Sequence, residues 1–139
     1  MNKQELEKIK QKALENHIPI IMDDTLEVIE KELKENPPKR ILEIGAAVGY
    51  SAMCFSEFLA ENGVIDTIER DEERIQEAKE NFKNVGVENK ILAACLQLPD
   101  GTGGQRRAHI YQNAALQHIP AGQRQRAIHR KGGQHIQIV

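Results

Sequence analysis

A glycine turn between an apolar strand and a helix start constrains the fold of this chain more than any other feature. Residues 41–44 form a short apolar strand pattern, Gly45 and Gly49 bracket the turn, and a helix pattern begins at about Ser51. Glycine has no Cβ, so the backbone at Gly45 and Gly49 can approach a ligand closely. A strand, a glycine turn and a helix in this order are typical of the first unit of a nucleotide-binding α/β sheet.

An acidic residue at the end of the next strand supports the same interpretation. Glu69 follows the apolar run 64–68 and lies twenty residues after Gly49. A carboxylate at this position accepts hydrogen bonds from the diol of a ribose. The turn lacks the Gly-x-Gly-x-x-Gly spacing that a pyrophosphate requires, which disfavours a dinucleotide. The sequence therefore predicts a cradle for a nucleoside-containing cofactor.

Glu43 and Gly45 lie where the first strand ends, and open α/β sheets bind ligands at that end. The alternative for this pair is a tight turn beside a solvated acid. Ser51 begins the following helix pattern, where its hydroxyl would donate to a ligand carboxylate or cap the helix. We expect Glu43, Gly45, Ser51 and Glu69 to contribute to one cofactor site.

Two segments carry a resemblance to a known family. Residues 43–51 read EIGAAVGYS and residues 67–72 read TIERDE. Both resemble the S-adenosylmethionine-dependent O-methyltransferases of the caffeoyl-CoA/catechol type, and within them the bacterial branch that includes tRNA 5-hydroxyuridine methyltransferases. The resemblance implies a Rossmann-like fold, S-adenosylmethionine as cofactor, and methyl transfer to a hydroxyl oxygen of a small molecule or a tRNA. It also implies that Ser51 and Glu69 contact the cofactor, and that Ile21 touches it from the preceding loop.

The chain departs from this family pattern at two places. The turn that ends the third strand, at residues 93–96, lacks the Asp that approaches the adenine amine in the family. The family also holds a divalent cation such as Mg²⁺, which lowers the pKa of the substrate hydroxyl and requires carboxylate ligands. No Asp or Glu follows Asp100, and Asn113 is the only Asn beyond it. We therefore expect no metal site, leave the catalytic residues unassigned, and expect no metal-dependent methyl transfer.

The periodicity of apolar residues predicts an α/β fold. We expect two N-terminal helices followed by the first half of a doubly wound, Rossmann-like parallel sheet covered by helices. Asp23 or Asp24 is the predicted N-cap of the second helix, and Asp71 that of the fourth. The predicted helices span residues 2–16, 23–35, 51–61 and 72–85, and the predicted strands span residues 40–44, 64–68 and 90–93.

Charge divides the chain near Asp100. The first hundred residues contain all 21 acidic residues and 13 of the 19 basic ones, whereas residues 101–139 contain six basic residues and no acid. We expect residues 1–100 to be a partial cofactor-binding domain and residues 101–139 to be an irregular Gln/Arg/His/Gly-rich tail. Reading of the gene out of frame would produce such a tail. The alternative is a degenerate remnant of the domain, in which residues 131–133 would form a turn that enters one strand with Ile136 and Ile138.

Several further expectations concern the function and cellular context. Complete members of the resembled family are longer, so we expect a truncated chain without activity. The alternatives are a non-catalytic nucleoside-binding or partner-binding module and a product with no function. The isolated Cys54 and Cys95 indicate buried thiols in a reducing cytoplasm. We expect no membrane association, because no apolar run is long enough to span a bilayer, and we leave a homodimer open.

Overall fold

The computed structural model describes residues 1–95 and the backbone of residues 136–138. The helices are α1 (Lys3–Glu15), α2 (Asp23–Glu35), α3 (Tyr50–Phe55) and α4 (Glu72–Val85), and a 3₁₀ turn at Ser56–Phe58 continues α3. The strands are β1 (Arg40–Ile44), β2 (Val64–Glu69), β3 (Ile91–Cys95) and β4 (Ile136–Ile138). This order confirms the predicted α/β fold.

The four strands form one parallel sheet in the order β3-β2-β1-β4. The chain moves from β1 to β2 to β3 in one direction, and β4 lies on the opposite side of β1. The strand order therefore reverses at β1. In open α/β sheets the crevice at the carboxyl ends of the strands, next to such a reversal, is the usual binding site for ligands.

The core lies between the sheet and the helices α1, α3 and α4. Ile41 of β1 and Ile65 of β2 belong to one buried cluster with Phe55 of α3 and Phe82 of α4, and Leu33 of α2 is also a member. Alternation along β1 places the side chain of Glu43 on this same buried face, because side chains two positions apart point to the same side of a strand. Glu43 is therefore buried, because it lies on the core-facing side of the strand that precedes the glycine turn.

Helix α3 is shorter than the sequence predicted. Its α-helical part ends at Phe55, and the backbone is extended by Leu59. The hydroxyl of Ser56 donates to the carbonyl of Met53 at 2.7 Å, and such local bonds compete with regular helix bonding. Asn62 then adopts a positive φ of 58°, which completes the connection to β2.

The start of α2 also differs from the prediction. The N-cap is Met22, which makes no side-chain capping bond, and both aspartates lie in the first turn. Asp23 instead accepts a hydrogen bond from Lys10 of α1 at 2.6 Å, and Asp24 accepts one from the backbone N–H of Thr25 at 2.6 Å. Asp23, which local preference would place at the N-cap, thus forms an ion pair with Lys10 of α1 instead. Asp71 caps α4 as predicted, through the N–H groups of Glu73 and Arg74.

Residues 96–135 and 139 lie outside the described residues, and with them most of the predicted tail. Within the described part, residues 136–138 form a strand that includes Ile136 and Ile138, and it pairs with β1 from Arg40 to Leu42. The described helices include none that is long and apolar enough to cross a bilayer.

Candidate functional site

The candidate site lies where β1 and β2 end, around the loop 45–49. Three residues of this loop have a positive φ, namely Gly45 at 98°, Ala47 at 45° and Gly49 at 80°. Alanine at a positive φ is uncommon, and such a residue persists where the surrounding structure holds it. The loop conformation is therefore imposed by the residues around it.

The two glycines of the loop have different environments. A Cβ placed on Gly45 would meet no atom within 4 Å, so the space beside this residue is open. A Cβ on Gly49 would lie 2.3 Å from Cε1 of Phe82 and 3.3 Å from Cβ of Ala78. Gly45 thus has open space beside its backbone, whereas the absence of a side chain at Gly49 allows the loop to pack against α4.

Glu43 is the buried acid of the site. Its side chain is 3% exposed, and its carboxylate accepts hydrogen bonds from the hydroxyls of Ser51 and Thr67, each at 2.5 Å. Burial raises the pKa of Glu43, the two hydroxyl donors oppose that rise, and the negative charge of Glu69 adds to it. Glu43 thus links β1 to both α3 and β2.

Ser51 occupies a different position from the predicted helix cap. The N-cap of α3 is Gly49, and the helix begins at Tyr50. Ser51 is therefore the second residue of α3, and its hydroxyl donates to Glu43. In this structure the one hydroxyl proton of Ser51 is directed at the buried acid rather than at open space.

Glu69 lies at the end of β2, as the sequence predicted. One carboxylate oxygen accepts from the backbone N–H of Ala47 at 2.9 Å. The other accepts from the N–H groups of Arg70 at 2.7 Å and Asp71 at 3.1 Å. The carboxylate therefore joins the end of β2 to the glycine loop and remains partly exposed.

Two residues with a role at this site were not predicted from the sequence. Thr67 lies opposite Glu43 in the parallel register of β1 and β2. Asn81 of α4 donates from Nδ2 to the carbonyl of Val48 at 2.9 Å. Threonine in a strand and asparagine in an amphipathic helix are ordinary residues, so no local pattern marks either of them.

Ile21 lies in the connection between α1 and α2, half-buried against the edge of the core. At the third strand, Cys95 ends β3 beside Glu69, and β3 carries no acid, as the sequence indicated. Among residues 1–95 no three His, Cys, Asp or Glu side chains are grouped so that they would hold a metal ion. Asp100 and Asn113 lie outside the described residues.

Comparisons with known proteins identify the relatives of this chain. The family model of protein-L-isoaspartate(D-aspartate) O-methyltransferase matches residues 6–133. A curated protein-L-isoaspartate O-methyltransferase from Methanococcus maripaludis is 35% identical over 65% of this chain and 42% of its own length. One from Archaeoglobus fulgidus is 33% identical over 75% of this chain and 45% of its own length. This chain thus spans less than half the length of these relatives.

Solved structures share the fold. A Staphylococcus aureus protein described as a caffeoyl-CoA O-methyltransferase has a TM-score of 0.62 and 36% identity, over 66% of this chain and 44% of that chain. An O-methyltransferase from Bacillus cereus, solved in complex with S-adenosylhomocysteine, has a TM-score of 0.67 over 84% of this chain and 50% of that chain. Its 18% identity supports the fold alone.

The strand order, the glycine loop and the acids at the strand ends agree with these relationships. The resemblance inferred from residues 43–51 and 67–72 is thereby confirmed at the level of S-adenosylmethionine-dependent methyltransferases, and the caffeoyl-CoA/catechol type is not. Since the family model covers most of its length, this chain belongs to the protein-L-isoaspartate(D-aspartate) O-methyltransferase family.

Proposed function

We propose that this chain is the S-adenosylmethionine-binding part of an enzyme that transfers a methyl group to an oxygen atom. The open space beside Gly45, next to the reversal of strand order, is the observation that carries the proposal. Membership in a methyltransferase family supports it.

Each residue of the site has a proposed role. Glu69 has carboxylate lone pairs at the sheet edge and would accept hydrogen bonds from the ribose hydroxyls. Gly45 would let the cofactor lie against the backbone. Glu43 and Ser51 would lie next to the methionine end of the cofactor. Ile21 would contribute apolar contact from the α1–α2 connection.

The proposed reaction is an in-line displacement at the methyl carbon of the cofactor. A bond forms between that carbon and the acceptor oxygen while the bond to the sulfonium sulfur breaks, and the electron pair stays on sulfur as a neutral thioether. The residues of this chain would hold the cofactor in an orientation suited to attack, which converts binding energy into a lower barrier. The catalytic residues remain unassigned.

The family suggests a carboxylate acceptor. The curated relatives are named for methylation of protein L-isoaspartate, and a carboxylate with a pKa of about 4 is already anionic at neutral pH. Such an acceptor needs no base or cation to generate the nucleophile. We therefore propose the carboxylate of an isoaspartyl residue in a protein as the first acceptor to test.

A hydroxyl acceptor is the second candidate, because the Staphylococcus aureus neighbour at 36% identity is described as a caffeoyl-CoA enzyme. That reaction, on a small molecule or a tRNA, would use Mg²⁺ in the resembled family. The described residues offer no group of carboxylates for such a cation, so we assign no residue of this chain to it.

The cofactor part of the proposal is tested by calorimetric titration with S-adenosylhomocysteine. Gly45→Ala adds a methyl group to the open space, and Gly86→Ala is its matched control. Gly86 also has a positive φ, of 77°, and no atom within 4 Å of an added Cβ, and it ends α4 on the exposed surface. Both substitutions place an alanine at a positive φ, so loss of binding in a folded Gly45→Ala variant alone supports the cradle. Equal affinity in both variants would contradict it.

The acceptor is identified with labelled S-adenosylmethionine. Labelling of an isoaspartyl peptide in the presence of a chelator supports the carboxylate proposal. Labelling of catechol or of hydroxyuridine-containing tRNA that disappears on chelation supports the hydroxyl acceptor instead. Cofactor binding without transfer to any of these would support the non-catalytic nucleoside-binding module.

A further inference from the structure

Asn81 connects helix α4 to the glycine loop. It is half-buried, and its Nδ2 donates to the carbonyl of Val48 at 2.9 Å. Val48 itself is buried, with 2% of its surface exposed. A buried carbonyl without a partner is unfavourable, so the amide of Asn81 satisfies a backbone group that belongs to the loop rather than to its own helix.

The same loop is held from its other side by Glu69, which accepts from the N–H of Ala47. Ala47 has a φ of 45°, a conformation that an alanine adopts only when its surroundings enforce it. The N–H of Ala47 is thus fixed by the end of β2, and the carbonyl of Val48 is fixed by α4. Two neighbouring residues of the loop are thereby oriented by two different elements.

Packing adds a third constraint on the same side. Ala78, Asn81 and Phe82 are three and four positions apart and therefore share one face of α4. Ala78 and Phe82 approach Gly49 closely enough to leave no space for a Cβ. This face of α4 thus provides a surface on which the glycine loop is seated, and Asn81 is the hydrogen-bond donor within it.

We propose that Asn81 is a positioning residue for the cofactor, which acts by fixing the glycine loop before the cofactor binds. The inference rests on the proposed function, because the loop matters for binding only if the cofactor lies against Gly45. A loop that is already ordered loses less conformational entropy when the cofactor binds, so binding is tighter. Loss of the Asn81 bond is therefore expected to weaken cofactor binding without unfolding the domain.

The test uses the full chain and two substitutions of equal charge on the same helix. Asn81→Asp keeps the shape of the side chain but replaces the N–H donor with an oxygen that faces the Val48 carbonyl. Asn84→Asp makes the same chemical change at an exposed position. We expect the affinity for S-adenosylhomocysteine to fall about tenfold in Asn81→Asp, as loss of a partly buried hydrogen bond predicts, and to stay unchanged in Asn84→Asp.

A spectroscopic measurement separates this role from general stability. The peptide N–H of Gly49 belongs to the same peptide group as the Val48 carbonyl, so its ¹⁵N–¹H signal reports on the Asn81 bond without any ligand. We expect this signal to shift in Asn81→Asp and in the uncharged variant Asn81→Leu, while both keep a cooperative unfolding transition. Wild-type affinity in either folded variant would overturn the positioning role alone. Failure of the unsubstituted chain to bind S-adenosylhomocysteine would overturn the proposed function and this role with it.

Discussion

Glu69 accepts a hydrogen bond from the backbone N–H of Ala47 at 2.9 Å, across 22 residues of sequence. The bond joins the carboxyl end of β2 to the loop that follows β1. The other carboxylate oxygen of Glu69 accepts hydrogen bonds from two further backbone N–H groups. Three of the about four lone-pair positions of this carboxylate are therefore used within the protein. A ribose at this site would therefore share the carboxylate with the loop.

Glu69→Ala is expected to weaken binding of S-adenosylhomocysteine by about 1–3 kcal/mol, the usual effect of removing a charged hydrogen-bond partner. The variant loses both the proposed ribose contact and the support of Ala47. Calorimetry measures the change, and Glu80→Ala, which removes an exposed carboxylate of α4, is the control. Equal affinities in the two variants would exclude Glu69 from the cofactor site.

Glu43→Gln is expected to change how stability depends on pH. Burial raises the folded-state pKa of Glu43 above its ordinary value of 4.5. The contribution of such a carboxyl to the unfolding free energy is fully present below its unfolded-state pKa. This contribution is lost as the pH rises through the folded-state pKa. The unfolding free energy of the wild type should therefore fall relative to that of Glu43→Gln as the pH increases above about 4.5.

Urea unfolding at a series of pH values measures this difference. Glu69 is the charged neighbour that also raises the pKa of Glu43, so Glu69→Gln should reduce the pH dependence without removing it. Glu80→Gln, at an exposed position, should leave the difference unchanged. Parallel pH profiles for the wild type and Glu43→Gln would show that Glu43 does not titrate differently in the folded protein.

Gly49→Ala is expected to destabilise the fold by about 2–4 kcal/mol, because a Cβ there overlaps Phe82 and also has an unfavourable φ. Gly86→Ala carries only the unfavourable φ and should cost about 1–2 kcal/mol. Chemical denaturation compares the two variants. Partial recovery in the double variant Gly49→Ala/Phe82→Leu would locate the extra loss at the contact between the loop and α4, and no extra loss in Gly49→Ala would contradict that contact.

The two cysteines are expected to react at different rates with a thiol reagent. Burial raises the pKa of Cys54 to about 12, and the residue is 5% exposed. Since the thiolate is the reactive form, Cys54 should remain unmodified in the folded protein at neutral pH. Cys95, which is partly exposed at the end of β3, should react first. Mass spectrometry of peptides after brief labelling identifies the site, and equal modification of both would contradict the burial of Cys54.

The lengths of the helices show how far local sequence patterns predict this structure. The predicted bounds of β1 and α4 were correct to within a residue, because apolar periodicity and the Asp71 cap are local signals. The helix predicted from Ser51 to Glu61 instead ends its α-helical part at Phe55. Its early end depends on a bond between Ser56 and a backbone carbonyl, which composition does not reveal.

The sequence by itself determined the order of helices and strands, and it placed Gly45 and Glu69 at the ends of their strands. The tertiary structure alone decided which groups these residues meet. Glu43 is bonded by Ser51 and by Thr67, which is 24 residues away, and Asn81 reaches Val48 across 33 residues. These partners are set by the parallel register of β1 with β2 and by the seating of α4 against the loop. The register and the position of α4 both depend on packing between segments that are distant in sequence, and local periodicity does not predict that packing.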